Sequence, residues 1–190
     1  MDLTPTPSQT VGPFFHLGCT ERASVGSLVT PASKGERIQF ILRVFDGEGQ
    51  PVPDAMIEIW QANAGGRYDH PEDTQEKALD PAFKGFGRLA SEESGRCVFS
   101  TIKPGRVPGN AGSMQAPHIN VSVFARGVLK RLATRAYFAG DPGNTEDPVL
   151  ALVPAERRPT LLARPDAGGK GDWVFDIHLC GENETVFFDV

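Results

Sequence analysis

A histidine and the residue two positions after it are the first candidates for chemistry in this sequence. His118-Ile119-Asn120 lies in a stretch with strand-like alternation, and side chains two residues apart on a strand point to the same face. Two metal-binding side chains at this spacing could converge on one ion, but the neutral amide at position 120 is a poor transition-metal ligand. The residues alone leave two interpretations open: half of a metal site, or a single buried histidine with a hydrogen-bonding neighbour.

Tyr68 is the second candidate, because it lies in the glycine-flanked run Gly65-Gly66-Arg67-Tyr68-Asp69-His70. A tyrosine in such a loop is usually a packing or interface residue, and a phenolate bound to high-valent iron is the rarer alternative. The sequence contains no H-E-x-x-H, G-x-S-x-G, phosphate-loop or dinucleotide motif. The commonest hydrolase and nucleotide-binding functions are therefore excluded.

The elements that must position these side chains are short segments that alternate between apolar and polar residues. The predicted strands are residues 38–45, 55–62, 97–102, 118–125, 132–138, 173–179 and 185–188. Residues 63–88 are predicted to form a long polar loop that carries Tyr68, and residues 154–163 one or two helical turns. Six or seven short strands separated by turn signals predict an all-β fold, an antiparallel β-sandwich with long loops and one short helical segment.

Composition narrows the remaining classes of function. The 190 residues, 39% of them hydrophobic and 23% charged, suit one globular domain. The net charge of -5, with both signs interspersed, argues against a nucleic-acid partner. No apolar run approaches the length of a membrane span, and residues 1–5 do not resemble a signal peptide. Three widely spaced cysteines, Cys19, Cys97 and Cys180, predict reduced thiols in a cytoplasmic protein.

Several motifs together resemble the intradiol ring-cleavage dioxygenases. In chain order they are Ala55-Met56-Ile57-Glu58-Ile59-Trp60-Gln61-Ala62-Asn63 with Gly66-x-Tyr68, Gly85-Phe86-Gly87-Arg88, Thr101-Ile102-Lys103-Pro104-Gly105 and Pro117-His118-Ile119. Two terminal motifs, Thr6-Pro7-Ser8-Gln9-Thr10-x-Gly12-Pro13-Phe14 and Gly181-Glu182-x-Glu184-Thr185-x-Phe187-Phe188-Asp189, resemble the α chains of the family's two-subunit branch. The resemblance covers nearly the whole chain, and its motifs agree in order and spacing.

The resemblance implies an incomplete metal site. Iron-binding family members hold Fe(III) with two tyrosines and two histidines, and these positions correspond here to Tyr68, Val107, His118 and Asn120. Val107 has no donor atom, and two protein ligands cannot hold a ferric ion against water and hydroxide. The four are therefore expected to be vestigial metal-site positions, with no metal and no catalytic residue in this chain alone. The cofactor, Fe(III), is expected on a β chain that retains all four ligands.

The resemblance also implies substrate-binding residues elsewhere in the chain. Thr10, Gly12, Pro13 and Phe14 match an α-chain segment that lines the partner's pocket, and Arg126 matches an arginine close to the aromatic substrate. A guanidinium attracts and pairs with a carboxylate. The alternatives are an interface salt bridge for Arg126 and a simple turn at Gly12 and Pro13.

The implied function is that of the non-iron-binding subunit of an enzyme of aromatic catabolism, in the β-ketoadipate pathway. Such an enzyme cleaves 3,4-dihydroxybenzoate with O₂ to 3-carboxy-cis,cis-muconate. Residues 1–36 are expected to form an arm that packs on the β chain, and residues 37–190 the sandwich, in α–β pairs of a larger oligomer. One alternative is a transthyretin-like β-sandwich binding module without an enzyme role, which residues 44–60 also resemble. Another is a self-sufficient dioxygenase with unusual ligands.

Overall fold

The fold consists mainly of β-strands, as the alternation predicted. A computed structural model describes residues 5–168 and 171–190. Its strands are β1 Arg37–Phe45, β2 Met56–Trp60, β3 Phe86–Ala90, β4 Arg96–Ile102, β5 Val107–Pro108, β6 Met114–Gln115, β7 His118–Phe124, β8 Leu132–Phe138, β9 Leu162–Pro165 and β10 Asp172–His178. The short helical segments are the α-helix α1 Pro13–His16, the π-helical turn Leu17–Glu21, and 3-10 turns at Asn110–Gly112, Pro142–Thr145, Leu150–Leu152 and Arg158–Leu161.

The main sheet is mixed, so the prediction of an antiparallel sandwich is confirmed only in part. Its eight strands run in the order β3-β2-β7-β8-β9-β10-β1-β4, and β5 pairs with β6 separately. Most pairs are antiparallel, but β1 pairs with β10 and β8 pairs with β9 in parallel. Parallel neighbours need long connections, which these two pairs have: β8 and β9 are separated by residues 139–161, and β1 and β10 by most of the chain.

The two halves of the sheet face each other across one hydrophobic core. Ile57 on β2 and Ile119 on β7 belong to the same buried cluster as Phe40, Phe99 and Phe175 on β1, β4 and β10. These five side chains are at most 1% exposed. Every second residue of β2 and β7 therefore points into the core, and the residues between them form the outer face that carries His118 and Asn120.

Residues 25–29 form a strap that joins the two ends of the sheet. Val25 exchanges backbone hydrogen bonds with Arg88 on β3, at 2.7 and 3.0 Å. The Leu28 N–H donates to the Ser100 carbonyl on β4 at 2.9 Å, and the Ser100 N–H donates to the Gly26 carbonyl at 2.8 Å. Because β3 and β4 are the terminal strands, the strap covers both edges that would otherwise stay unpaired and nearly closes the sheet into a barrel.

Strand β3 was not predicted, and the loop predicted for residues 63–88 was wrong at its end. Gly87 obscured the apolar alternation of this strand. A Cβ atom at Gly87 would lie 2.8 Å from Leu28 Cδ1 and 2.9 Å from the Phe99 ring. The glycine therefore lets β3 approach the strap and β4 closely, a packing requirement that the local sequence does not reveal.

The strand predicted at residues 185–188 was also wrong, since this segment forms only one isolated bridge, between Phe188 and Ala133. The Thr134 hydroxyl donates to the Val186 carbonyl and so replaces a ladder bond. The helical turns predicted at residues 154–163 shorten to the 3-10 turn Arg158–Leu161. Among the residues described, no helix has the length and apolarity needed to cross a membrane.

Candidate functional site

Strand β7 places His118 and Asn120 on the outer face of the sheet. It lies between β2 and β8, with Asn120 opposite Trp60 on one side and Arg135 on the other. His118 is opposite Tyr137 and is buried. The strand spacing of the two candidate ligand positions was therefore predicted correctly.

The loop after β2 carries Tyr68 to the same place. The Asn63 side-chain oxygen accepts hydrogen bonds from the backbone of Gly65 and Arg67 and so shapes the start of the loop. The Tyr68 N–H donates to Asp73 Oδ2 at 2.8 Å. The phenol ring of Tyr68 then stacks on Trp60, with ring centroids 5.7 Å apart and planes within 16°.

Tyr68, His118 and Asn120 form a directed chain of hydrogen bonds. His118 Nδ1 lies 2.8 Å from the Ala116 carbonyl, which only accepts, so Nδ1 carries the proton and Nε2 is an acceptor. Tyr68 Oη lies 3.4 Å from His118 Nε2 and donates to it through a long hydrogen bond. Asn120 Nδ2 donates to Tyr68 Oη and to the Trp60 carbonyl, each at 3.2 Å. The three residues are therefore linked to one another by hydrogen bonds.

Both titratable groups of this hydrogen-bond network, the His118 imidazole and the Tyr68 phenol, are neutral near pH 7. Burial, together with the positive charge of Arg135, lowers the pKa of His118 to about 4. Burial also raises the pKa of the Tyr68 phenol, although the hydrogen bond from Asn120 and the charge of Arg135 oppose the shift. The phenol therefore keeps its proton and the imidazole stays uncharged.

Val107 also lines the cleft that contains Tyr68 and His118. Its side chain is buried, and the cleft has a volume of about 450 Å³. The structure thus brings together the four positions for which the resemblance implied a vestigial metal site, and of these only Tyr68 and His118 carry side chains that commonly bind iron. Within the described part of the chain, no cluster of three or more histidine, cysteine, aspartate or glutamate side chains could hold a metal ion. A ferric ion does not fit this set, because Asn120 directs an N–H at the phenol oxygen and Val107 offers no donor.

The N-terminal candidates gather around a different turn, the one that follows β7. The Gly127 N–H donates to Thr10 Oγ1 at 2.8 Å, and the Thr10 hydroxyl lies 3.5 Å from the Ala125 carbonyl. Gly127 has a φ of 83°, a left-handed conformation that favours glycine. Phe15 packs on Phe124 with ring centroids 5.7 Å apart. Thr10 and the phenylalanine pair therefore fasten the arm to this turn.

Arg126 and Phe14 are exposed at this turn. The Arg126 side chain is 73% exposed and lies 3.5 Å from the Asp54 carboxylate. Phe14 is 86% exposed, an unusual state for a phenylalanine. Gly12 precedes α1 and Pro13 begins it, and both are exposed. The five substrate-binding candidates are thus part of one surface region, which we call the arm surface, Thr10–Phe15 with Arg126.

The cluster of Tyr68, His118 and Asn120, which we call the half-site, lies at the start of β7. The arm surface lies at the other end of this strand. Arg126 follows His118 by eight positions, which corresponds to roughly 25 Å at about 3.3 Å per residue of extended chain. This separation is larger than a single-ring substrate. Arg126 and the half-site of this chain therefore cannot act on one small molecule.

Four residues of these regions were not recognised from the sequence. Trp60 and Gln115 line the cleft beside Tyr68, Arg135 faces it from β8, and Asp54 pairs with Arg126. Only Arg135 left a usable signal, since alternation along β8 places it on the same face as Tyr137. Gln115 and Asp54 became relevant only through contacts made across the fold.

Comparisons with known proteins found relatives by sequence and by structure. The family model described as Dioxygenase matches residues 11–181. The protocatechuate 3,4-dioxygenase alpha chain of Burkholderia cepacia is 43% identical over 99% of this chain and 98% of its own length. The dioxygenase domain of a dioxygenase and carbohydrate-binding fusion protein from Streptomyces sp. SirexAA-E superposes with a TM-score of 0.63, at 27% identity over 93% of this chain and 99% of that chain.

The beta chain of the same Burkholderia cepacia enzyme is also a relative. It is 41% identical over 80% of this chain and 67% of its own length. The sequence is thus related to both subunits of a two-chain dioxygenase, and its match to the alpha chain extends over almost the whole of both proteins. The chain therefore belongs to the dioxygenase family, among the intradiol ring-cleaving dioxygenases.

Proposed function

We propose that this chain is the subunit of a protocatechuate 3,4-dioxygenase that does not hold the catalytic iron. It would pair with a β-type chain that supplies all four ligands to Fe(III). The paired enzyme would open the ring of 3,4-dihydroxybenzoate between its two hydroxyl-bearing carbons. Both oxygen atoms of O₂ enter the product, 3-carboxy-cis,cis-muconate, so the atoms balance without a further reductant.

The observation that carries this proposal is the separation between the half-site and the arm surface. The half-site contains two potential ligands that hydrogen-bond to each other, and the arm surface contains the exposed cation Arg126, which pairs with Asp54. Each region is incomplete for ring cleavage. A partner that brings a complete iron site to the arm surface would complete the second region without using the first.

In this arrangement the chain's own residues bind and shield the substrate. The Arg126 guanidinium attracts the substrate carboxylate, and its current partner, Asp54, is exposed enough to be exchanged for that carboxylate. Phe14, Pro13 and Gly12 form a wall that excludes water from the shared pocket. Fe(III) on the partner supplies chelation of the two ring hydroxyls.

Iron analysis tests the proposal. The full chain expressed alone is expected to be colourless, with far less than one iron per chain, and to become part of an active complex when mixed with a four-ligand partner. Stoichiometric iron with a visible tyrosinate band in the chain alone would contradict the proposal and support the self-sufficient dioxygenase. The matched control is Tyr68→Phe, which removes only the phenol oxygen and is expected to leave the iron content and kcat of the complex unchanged.

The binding-module alternative has weaker support. The family model extends over residues 11–181 and so includes the Lys103-Pro104-Gly105 and Pro117-His118-Ile119 motifs, which lie outside the region that resembles transthyretin-like modules. A complex with a four-ligand partner that fails to cleave 3,4-dihydroxybenzoate would favour this alternative.

A further inference from the structure

Asp54 and Arg126 lie side by side because two neighbouring strands reach the same end of the sheet beside the arm. Met56 on β2 is the register partner of Phe124 on β7. Asp54 lies two positions before this pair and Arg126 two positions after it. The Asp54 carboxylate is 3.5 Å from the Arg126 guanidinium, and their side chains are 50% and 73% exposed. An ion pair with this exposure is weak, so another anion can replace the carboxylate.

The backbone around Asp54 is fixed by a buried serine. The Asp54 N–H donates to the Ser91 carbonyl at 3.1 Å. The Ser91 hydroxyl accepts from the Ala55 N–H at 2.9 Å and donates to the Val52 carbonyl at 2.8 Å. Ser91 itself is only 4% exposed. The Asp54 carboxylate is therefore presented to Arg126 from a rigid support.

The conformation of Asp54 points to a role for its side chain. A φ of 60° is left-handed, and glycine adopts this conformation without the steric cost that a Cβ atom adds. Unfavourable backbone conformations in folded proteins cluster at sites where the side chain is needed. Aspartate rather than glycine at this position therefore indicates that the carboxylate has a function.

The proposed reaction changes the charge of the molecule that Arg126 would hold. 3,4-Dihydroxybenzoate carries one carboxylate near neutral pH. Cleavage by O₂ turns its two hydroxyl-bearing carbons into two further carboxylates and releases two protons, so the product is a trianion. A fixed negative charge beside the pocket therefore repels the product more strongly than the substrate.

We propose that Asp54 is a positioning residue that promotes product release by competing for Arg126. It holds the guanidinium in the empty pocket, yields it to the single carboxylate of the substrate, and takes it back as the triply charged product leaves. This inference rests on the proposed function, because it requires a pocket shared between the arm surface and the iron site of the partner. Asp54 acts in this pocket through Arg126 and through its own charge.

Product inhibition of the assembled enzyme tests this role. Asp54→Asn is expected to lower KM for 3,4-dihydroxybenzoate about threefold and to lower Ki for 3-carboxy-cis,cis-muconate about tenfold, with no gain in kcat. The larger effect on Ki follows from the additional charges of the product. A purely structural role of Asp54 would not separate Ki from KM in this way.

Three further variants separate the carboxylate from the backbone and from the overall charge. Asp54→Gly removes the carboxylate and suits the left-handed backbone, so it is expected to give the same KM and Ki as Asp54→Asn. Asp54→Glu keeps the charge and is expected to return both constants toward the wild-type values. The matched control Glu48→Gln removes an exposed carboxylate from the same connection between β1 and β2 and is expected to change neither constant.

The outcomes distinguish this inference from the proposed function. An active complex in which Asp54→Asn leaves Ki unchanged, or lowers Ki no more than KM, would overturn the inference alone. Different Ki values in Asp54→Asn and Asp54→Gly, or an equal effect of Glu48→Gln, would overturn it as well. A wild-type complex that fails to cleave 3,4-dihydroxybenzoate would overturn the proposed function and this inference with it.

Discussion

At the scale of single residues, Asn120 links the Tyr68 side chain to the backbone of β2 by hydrogen bonds. Its amide N–H groups donate to the Tyr68 oxygen and the Trp60 carbonyl, and the Tyr68 hydroxyl donates to His118 Nε2. Tyr68 and His118, which the sequence resemblance places at ligand positions, therefore satisfy each other's hydrogen-bonding capacity. Asn120 completes a neutral, self-contained hydrogen-bond chain.

At the arm surface, Asp54 combines an unusual backbone conformation with an ion pair to Arg126. Its φ of 60° is left-handed, where glycine is favoured and aspartate is among the residues best tolerated. The residue accepts this backbone conformation and places a carboxylate 3.5 Å from Arg126. Arg126 is thus kept oriented at the surface while it remains accessible to another anion.

Replacement of Arg126 tests its role in substrate binding. Arg126→Ala in the assembled enzyme is expected to raise KM for 3,4-dihydroxybenzoate roughly tenfold with little change in kcat, because one charge-assisted contact to a carboxylate is lost from ground state and transition state alike. Arg126→Lys should give an intermediate KM, since it keeps the charge and loses the planar fork. Steady-state kinetics with Arg96→Ala as the control provide the measurement. Unchanged KM and kcat in Arg126→Ala would remove this residue from the pocket.

At the scale of elements, the strap holds the two edges of the sheet, and ion pairs join three of its inner strands. Residues 25–29 cover the terminal strands β3 and β4, and Gly87 provides the space that Leu28 needs. Three other neighbours, β1, β10 and β9, are joined by Asp176. Its carboxylate pairs with Arg43 at 2.6 Å on one side and with Arg164 on the other.

Asp176 predicts a pH-dependent contribution to stability. Burial alone would raise the pKa of this carboxyl, but the hydrogen bonds and charges of Arg43 and Arg164 outweigh it and hold the pKa below its ordinary value. A lowered folded-state pKa gives stability that is present above the unfolded value of about 4 and is lost as the pH falls through the folded value.

Asp176→Asn is therefore expected to lower the free energy of unfolding by about 1 kcal/mol at pH 7, a modest value because both arginines are partly exposed to solvent. The difference from the wild type should shrink below about pH 4 as the wild-type carboxyl protonates. Urea unfolding at a series of pH values measures it, with the exposed Glu48→Gln as the control. A difference that is the same at pH 7 and pH 3 would refute the electrostatic account.

At the scale of the whole molecule, the most exposed large apolar side chain among the described residues belongs to the arm. Phe14 is 86% exposed although the adjacent Phe15 is anchored on Phe124. The anchor holds α1 in place, so the exposed ring is presented in a defined position. A partner that covers it would gain apolar burial at a low cost in ordering.

Phe14→Ser tests this role in assembly. Full burial of a phenylalanine contributes about 1.5–3 kcal/mol, so the affinity for the β-type partner is expected to fall at least about tenfold. The melting temperature of the chain alone should not change, because the ring makes little contact within it. Sedimentation velocity of the mixed subunits measures the affinity, and Leu152→Ser, at an equally exposed position outside the arm, is the control. An undiminished affinity in Phe14→Ser would argue against docking of the arm on the partner.

The sequence by itself determined the features that depend on side-chain identity and local spacing. Alternation identified six of the strands, because one face of each is buried and the other is not. The weak ligand character of positions 107 and 120 followed from side-chain identity, since valine has no donor atom and a neutral amide is a poor transition-metal ligand. The spacing of His118 and Asn120 followed from the period of a strand.

Only the tertiary structure decided which distant segments meet. Strand β3, the parallel pairs and the strap result from packing between segments far apart in the chain, for which local sequence carries no signal. The same is true of the contact between Tyr68 and His118, 50 positions apart, and of the pairing of Arg126 with Asp54. Each of these contacts depends on everything folded around it, and no single stretch of sequence contains that information.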